Sequence, residues 1–261
     1  MSQYAGARIT VMGLGSFGGG TGAVRYLAEQ GADVTVTDSK SAEDLRGPLE
    51  QIKDLPLRYC LGGHCEEDFR DRDLIVVNPA VPEESCFLSV ARQNRIPMKT
   101  ELNLLLERRL HRFWIGITGS NGKSTTTALI HDGLKAAGEK ALIGGNFGGS
   151  LLGLPPEDLS GAVLVLEVSS FQIPWLDQHA QYPRVSVFTN ITPNHLDRHG
   201  TMARYIQAKK KLLLGQGRQD TTVLNADCPF FETWPDDATC RTRFFSTNRS
   251  EEHTSELQSL L

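Results

Sequence analysis

The sequence predicts an α/β protein made of two parallel-sheet domains in tandem, and three observations carry the prediction. Short apolar runs alternate with stretches of helical pattern along most of the chain. Such alternation belongs to parallel sheets covered by helices on both faces. A glycine-rich turn, "GLGSFG" at 13–18, follows the first apolar run, and a second, "TGSNGKST" at 118–125, follows a run farther along. Each turn sits between a strand-like and a helix-like stretch.

Taken in order, Arg8–Met12 (RITVM) reads as the first strand. A helix then runs to about Gln30 and is closed by Gly31, because glycine adopts the left-handed conformation that ends helices without steric cost. Asp33–Asp38 (DVTVTD) and Asp73–Asn78 (DLIVVN) read as further strands. Arg95–Leu110 has the pattern of a connecting strand followed by a helix, so the boundary falls near Thr100, with domains at 1–99 and 100–248. The second unit begins with the strand FWIGIT and continues through the second glycine loop into a helix from Lys123 to about Ala137, stopped by Gly138. Ala162–Val168 (AVLVLEV) and Arg184–Asn190 (RVSVFTN) supply more strands, and "RFFS" is strand-like. Past this, 249–261 has no core pattern. "RSEEHTSELQS" resembles the in-frame translation of a sequencing-library adapter; a native polar tail is the alternative. Position-specific reading therefore stops at Asn248.

Composition narrows the functional classes. With 261 residues, 39% hydrophobic and 22% charged, the chain has the profile of a soluble globular protein. A net charge of -4 gives no reason to expect nucleic acid as a partner. Met1–Ala7 shows no signal peptide, and Ala162–Val168 is too short to span a bilayer and contains Glu167. The five cysteines (Cys60, Cys65, Cys86, Cys228 and Cys240) include no C-x-x-C pair. Their odd number argues against a disulfide framework or structural zinc and fits reduced thiols in a cytosol.

Gly13, Gly15 and Gly18 form G-x-G-x-x-G directly after a strand, and Asp38 closes the next strand. Glycines there let backbone N–H groups approach a diphosphate at a helix N-terminus, and the aspartate can accept from a ribose hydroxyl. This is a Rossmann-like nucleotide site. The motif alone does not distinguish a nicotinamide cofactor from a UDP-linked substrate.

The second loop departs from G-x-x-x-x-G-K-[ST]: Ile117 stands where the first glycine is expected, and glycines occupy 116 and 119. The physics of a phosphate loop survives. The N–H groups of Gly119, Ser120, Asn121, Gly122 and Lys123 can surround phosphate oxygens, Lys123 adds a charge, and Ser124, followed by Thr125, can place its hydroxyl on Mg²⁺.

Three more stretches narrow the reading: "GGN" at Gly144–Asn146, "EVSSFQI" at Glu167–Ile173, and "NITPNHLDRHGTMARYIQAKKKLL" at Asn190–Leu213. With the TGSNGKST loop they resemble the Mur ligase family, which joins a carboxylate to an amine using ATP, and most closely its D-glutamate-adding branch. The likeness runs from about residue 8 to 248, the first two of that family's three domains. The resemblance implies a Rossmann-like domain, then a P-loop-type ATPase domain, incomplete here, with the third domain absent. It implies ATP and Mg²⁺, two ions, as cofactors, and UDP-N-acetylmuramoyl-L-alanine and D-glutamate as small-molecule substrates. A monomer in the bacterial cytoplasm is expected, and a fragment lacking the third domain is expected to make little or no product.

Residue by residue, the resemblance assigns ATP binding to 119–125. It assigns the UDP-linked substrate to Gly15, Ser16, Phe17, Asp38, Ser39, Lys40, Asn146 and Ser169. Lys123, Glu167, His195 and Lys209 are the implied catalytic residues, and Ser124, Glu167, His195 and a carbamylated Lys209 the implied metal ligands. The residues themselves add physical reasons. Glu167 ends an apolar strand, where a carboxylate needs an offsetting charge such as Mg²⁺ unless it turns to water. His195 and His199 have helical i, i+4 spacing, but no third soft ligand supports a transition-metal site. Lys209, Lys210 and Lys211 read by themselves as a solvated face; alignment with the family's Tyr-x-x-Ala-Lys singles out Lys209. Carbamylation requires a lysine of depressed pKa. Asn78-Pro79-Ala80 departs from the family's usual Ser-Pro-Gly, Ser16-Phe17 stand where residues differ among homologues, and Lys40, two residues past Asp38, is expected to face a phosphate, a loop charge being the alternative. A nicotinamide-dependent oxidoreductase, a ligase adding another amino acid and a non-catalytic nucleotide-binding module remain the competing readings.

Overall fold

A computed structural model of the chain describes residues 3–15, 18–176 and 182–247. Ser16 and Phe17, both expected in the first loop, and the 249–261 tail lie outside the described residues.

The first sheet is formed by β1 (Arg8–Met12), β2 (Asp33–Asp38), β3 (Arg58–Leu61), β4 (Leu74–Val77) and β5 (Met98–Lys99). Its order is β3-β2-β1-β4-β5, with neighbouring strands parallel. Helices α1 (Gly19–Glu29), α2 (Arg46–Glu50), α3 (Cys86–Gln93) and α4 (Glu101–Glu107) alternate with or follow these strands. Leu74–Val77 is buried throughout and β1 is buried past Arg8, the near-continuous apolar run of a strand covered on both faces.

The second sheet contains β6 (Phe113–Thr118), β7 (Ala141–Gly145), β8 (Val163–Glu167), β9 (Val185–Phe188), β10 (Thr221–Asn225) and β11 (Arg241–Phe245), in the order β11-β10-β9-β6-β8-β7. Helix α5 (Lys123–Ala136) connects β6 to β7; α6 (Pro156–Leu159), α7 (Leu196–His199), α8 (Met202–Leu214) and α9 (Trp234–Asp237) follow in chain order. Val163, Leu164, Val165 and Leu166 of β8, between β6 and the edge strand β7, are fully buried, each contributing about 2 kcal/mol of apolar transfer free energy. Among the described residues no helix is long and apolar enough to cross a membrane.

The strands expected from RITVM, DVTVTD, DLIVVN, FWIGIT, AVLVLEV and RVSVFTN are all present, within two residues at their ends. Gly31 and Gly138 follow α1 and α5 with φ of +85° and +81°, the left-handed stop their positions predict. The short strands β3 and β10 had no counterpart in the sequence reading.

One hydrophobic cluster runs through both sheets, from Val11, Val36 and Leu27 through Leu102 and Leu105 of α4 to Trp114, Leu164 and Leu166. Helix α4 is the hinge piece of this core. Thr100 caps it with a capping box shared with Asn103, and Asn103 Nδ2 also donates to Trp175 O (3.0 Å). Arg108 Nη1 donates to the carbonyls of Leu152 (2.7 Å) and Leu154 (2.8 Å).

Candidate nucleotide and carboxylate-activation site

In a parallel sheet every strand ends on the same edge, so the loops after β1 and β6 each lie at a carboxyl edge, where ligands of such sheets gather. Both loops enter their helices in the same way. Gly18 precedes α1 with φ 81° and Gly122 precedes α5 with φ 78°, both left-handed, and neither helix has a side-chain cap or an acidic residue in its first turn. The first-turn N–H groups thus remain available for an anion.

A cleft of about 810 Å³ lies between the two loops. Gly15, Asp38, Ser39 and Lys40 line its first-sheet wall, while Gly119, Lys123, Asn146, Ser169, His195 and Lys209 line the other. Asp38 is buried; its Oδ2 accepts from Leu14 N (2.9 Å) and its Oδ1 from Lys40 N (3.0 Å). The carboxylate thus pins the glycine turn to the turn after β2 and keeps lone pairs for a further donor. Asn78, the departure from Ser-Pro-Gly, lies beside the same turn: its Oδ1 accepts from Ala80 N (2.9 Å), and a Cβ on Gly13 would approach its own Cβ at 2.9 Å.

The phosphate loop is held from behind by the segment after β9. Ser120 N donates to Asn190 O (2.9 Å) and Asn121 N to Asn190 Oδ1 (2.9 Å). Ser120 Oγ pairs with Tyr205 Oη (2.9 Å) and donates to Thr192 O (2.9 Å). A side chain at Gly119 would collide with Thr189 Oγ1, so only glycine lets the loop lie this close. Lys123 Nζ donates to Ser120 O (2.9 Å). Thr125 is exposed in the first turn of α5.

Glu167, at the end of β8, is 2% exposed. Its Oε2 accepts from Ser124 Oγ (2.6 Å) and its Oε1 from Asn146 Nδ2 (2.9 Å). Both partners are neutral, and no cation pairs with Glu167 among the described ion pairs. A buried carboxylate with only neutral hydrogen-bond donors is costly. The carboxylate and hydroxyl oxygens beside a phosphate loop form the hard donor set that Mg²⁺ takes, so the residues fit that ion.

Lys209 of α8 is 1% exposed and reaches the start of the same loop, donating to Gly119 O (2.9 Å) and Thr118 Oγ1 (3.2 Å). Burial, reinforced by the charge of Lys123 and opposed by Glu167, pushes its pKa down to about 7. A large share of neutral amine thus exists near neutral pH. Lys210 and Lys211 point elsewhere, to Asp237 and to Pro174 O (3.0 Å).

His195 precedes α7 in the left-handed region (φ 52°, ψ 33°) and lies 5.0 Å from the Phe171 ring. His199 stacks on Phe171, its ring centroid 5.3 Å away and its plane at 11°, with its Nε2 2.9 Å from Ser170 Oγ. Burial, Lys209, His195 and Arg198 lower the His199 pKa. Ser169 closes the turn after β8, its N donating to Gln172 Oε1 (2.9 Å). The sequence reading had not singled out Ser170, Phe171, Tyr205 or Glu101. The first three sit inside the quoted family stretches. Glu101, on the seam, hydrogen-bonds Ser150 (2.5 Å), and burial pushes its pKa up to about 7.

Comparison with known proteins agrees with this geometry. Residues 117–259 match the Mur ligase middle domain, and 7–99 match the MurD-like N-terminal domain of Mur ligases. The UDP-N-acetylmuramoylalanine--D-glutamate ligase of Roseiflexus sp. (strain RS-1) is 42% identical over 241 residues, 90% of this chain and 52% of that protein. The Geobacter metallireducens ligase of the same name is 40% identical over 227 residues, 87% of this chain and 49% of the relative. The chain spans about half the length of the curated relatives it matches. Among solved structures, the UDP-N-acetylmuramate:L-alanyl-gamma-D-glutamyl-meso-diaminopimelate ligase from Neisseria meningitides has TM-score 0.63 at 19% identity, covering 92% of this chain and 78% of that one. The UDP-N-acetylmuramate-alanine ligase from Thermotoga maritima has TM-score 0.56 at 21% identity, covering 93% and 53%. At these identities the structures show the shared fold.

Proposed function

The chain belongs to the Mur ligase family, and from that premise we propose that its parent protein uses ATP to join D-glutamate to UDP-N-acetylmuramoyl-L-alanine. The observation that carries the reading is the single cleft walled by both glycine loops, with Lys123 and Lys209 on one side and Asp38 and Lys40 on the other.

In this reading the first-sheet wall holds the UDP end of the substrate. Gly15, Lys40 and the first turn of α1 face the diphosphate, Asp38 and Ser39 the nucleoside side, and Asn146 and Ser169 the stretch toward the reacting carboxylate. The family resemblance assigns Ser16 and Phe17 to the same substrate. The loop 119–125 holds ATP, with Lys123 exchanging Ser120 O for phosphate oxygens. A carboxylate is a poor acyl donor. Its oxygen attacks the γ-phosphorus, ADP leaves, and the acyl phosphate is then displaced by the amine through a tetrahedral intermediate, giving an amide and phosphate. Anchoring the remote UDP group orients the carboxylate, and Lys123 stabilises charge as the phosphoryl group moves.

Two Mg²⁺ ions would neutralise phosphate charge, held by Ser124, Glu167, His195 and a carbamylated Lys209. Lys209 supports this through its own chemistry: a neutral amine attacks CO₂, loses a proton, and its charge changes from positive to negative. The bacterial cytoplasm is the proposed location, since the proposed reaction draws on ATP and a UDP-linked precursor. A monomeric parent protein is part of the proposal, because one chain supplies both walls of the cleft.

The test uses the full-length enzyme with UDP-N-acetylmuramoyl-L-alanine, ATP, Mg²⁺ and a panel of amino acids, measuring phosphate release. Release dependent on D-glutamate is expected. Release driven by another amino acid reassigns the branch, and hydride exchange with NAD(P)H in place of phosphate release overturns the ligase reading.

A further inference from the structure

The five cysteines include no C-x-x-C pair, yet folding brings two of them into contact. Cys60, in β3, and Cys65, ahead of the short turn Glu66–Phe69, have sulfurs 3.0 Å apart. Both are free thiols, and Cys65 is exposed. Between them the chain turns through Gly62 and Gly63, whose N–H groups donate to Lys40 O (2.8 Å) and Asp38 O (3.1 Å). His64, next along, pairs through Nδ1 with Thr37 Oγ1 (2.7 Å), packs edge-on against Phe69 and Phe87, and lines the cleft beside Asp38 and Lys40. The two sulfurs therefore straddle the turn that forms one wall of the cleft's first-sheet end.

The hydrogen bond with Cys60 pushes the Cys65 thiol up to about 11. Either sulfur can donate to the other, and Cys60 Sγ also donates to Gly63 O (3.8 Å). This is the arrangement of an attacking and a resolving thiol, already in contact, so closing the ring costs little chain entropy. A metal is the competing use of two thiols. Asp68 is the third ligand within reach, but its Oδ1 is engaged by Arg72 Nη2 (2.8 Å). Two soft ligands at a surface fall short of the set a structural zinc site requires.

We propose that Cys60 and Cys65 form a reversible dithiol–disulfide pair, a redox modification site whose oxidation by a peroxide moves the His64 wall of the cleft. The Cys60 thiolate displaces hydroxide from hydrogen peroxide and becomes a sulfenic acid. Cys65 sulfur attacks that sulfur, and the hydroxyl leaves with the Cys65 proton as water. Two thiols are oxidised and one peroxide is reduced to two waters; a dithiol reductant reverses the reaction by two exchanges. Drawing the sulfurs from contact to bonding distance tightens the Gly62–Gly63 turn. It thereby strains the Thr37–His64 hydrogen bond and the bridge from Gly63 to Asp38. The effect on ligand rests on the proposed UDP-binding role of this wall; the chemistry at sulfur does not.

The test treats the chain with hydrogen peroxide, caps remaining thiols with iodoacetamide and maps tryptic peptides. Cleavage after Arg58 and Arg70 leaves both cysteines on one peptide, 59–70. Expected is that peptide uncapped and lighter by two hydrogens, restored by dithiothreitol, with the exposed Cys86 still capped. Full capping of Cys60 and Cys65 while Cys86 is oxidised overturns the proposal, as does stoichiometric zinc that shields both thiols. Calorimetry with UDP gives the second readout. Binding several-fold weaker after oxidation, with Cys60→Ser/Cys65→Ser binding like the reduced chain and insensitive to peroxide, supports the coupling. Equal affinity before and after a mapped disulfide overturns it. No UDP binding by the reduced chain, with the disulfide mapped, sinks the nucleotide reading alone.

Discussion

Ser124 Oγ donates to Glu167 Oε2 at 2.6 Å, bridging the first turn of α5 and the end of β8. The contact joins a phosphate-loop hydroxyl to a buried carboxylate, two groups 43 residues apart in sequence. Glu167→Gln keeps the shape and offers an amide to the same neighbours while removing the charge. In the full-length ligase it is expected to lower turnover by about a hundredfold or more and to raise the Mg²⁺ concentration needed for half-maximal rate. Thermal stability should hold or rise, since a buried charge is lost. A Mg²⁺ titration of phosphate release checks it; an unchanged Mg²⁺ requirement would remove Glu167 from the metal set.

Lys123→Ala leaves the glycines of the loop and their support from Asn190 and Thr192 untouched. The fold, followed by circular dichroism, should persist while turnover falls about a thousandfold. Amide synthesis at the parental rate would remove Lys123 from phosphoryl transfer.

Lys209 is expected to carry a carbamate. Its pKa of about 7 sets the sign: as pH falls below 7 the amine is protonated and cannot attack CO₂, and as pH rises past 7 the neutral form dominates. With ¹³C-bicarbonate, a carbamate resonance should grow from pH 6 to pH 8 in the parent chain and be missing in Lys209→Arg. A signal that persists in Lys209→Arg would place the modification elsewhere.

Glu101 gives a pH-dependent contribution to stability. Its carboxyl, closed in at the seam beside Ser150, has a pKa raised from 4.5 to about 7. The folded state thus binds the proton more tightly than the unfolded chain. The neutral acid's stability is intact below pH 4.5 and is lost as pH rises through 7, on the order of 3 kcal/mol. Urea midpoints of the parent should fall relative to Glu101→Gln across that window. Parallel curves would show that Glu101 does not titrate on folding.

Much of this was legible before the structure. Strands such as β8 announce themselves because both their faces are buried and their sequence is apolar without a break. β3 escaped because it lies at a sheet edge: none of Arg58–Leu61 is fully buried, so RYCL carries no core signature. β10 pairs between β9 and β11, yet TTVLN alternates buried and half-buried residues, a pattern too short to separate from a turn. Within the site, Lys123 and Ser124 could be found from loop spacing. Lys209 could not be separated from Lys210 and Lys211 by composition; full burial of Lys209, half-burial of Lys210 and exposure of Lys211 needed the packing of α8. The ring stack of Phe171 and His199, like the Ser170–His199 contact across 29 residues, is a product of tertiary folding, and no local spacing encodes it. The thiol contact of Cys60 and Cys65 hides for a similar reason, in a glycine turn whose closure depends on Asp38 and Lys40.

The apolar cluster that threads from β1 through α4 into β8 ties the thermodynamics of the two sheets together. Neither sheet can lose its side-chain packing without exposing surface of the other, so heating should melt them in one cooperative step, with calorimetric and van't Hoff enthalpies equal. Leu105→Ala, in the shared segment, should lower that one melting point rather than split it in two.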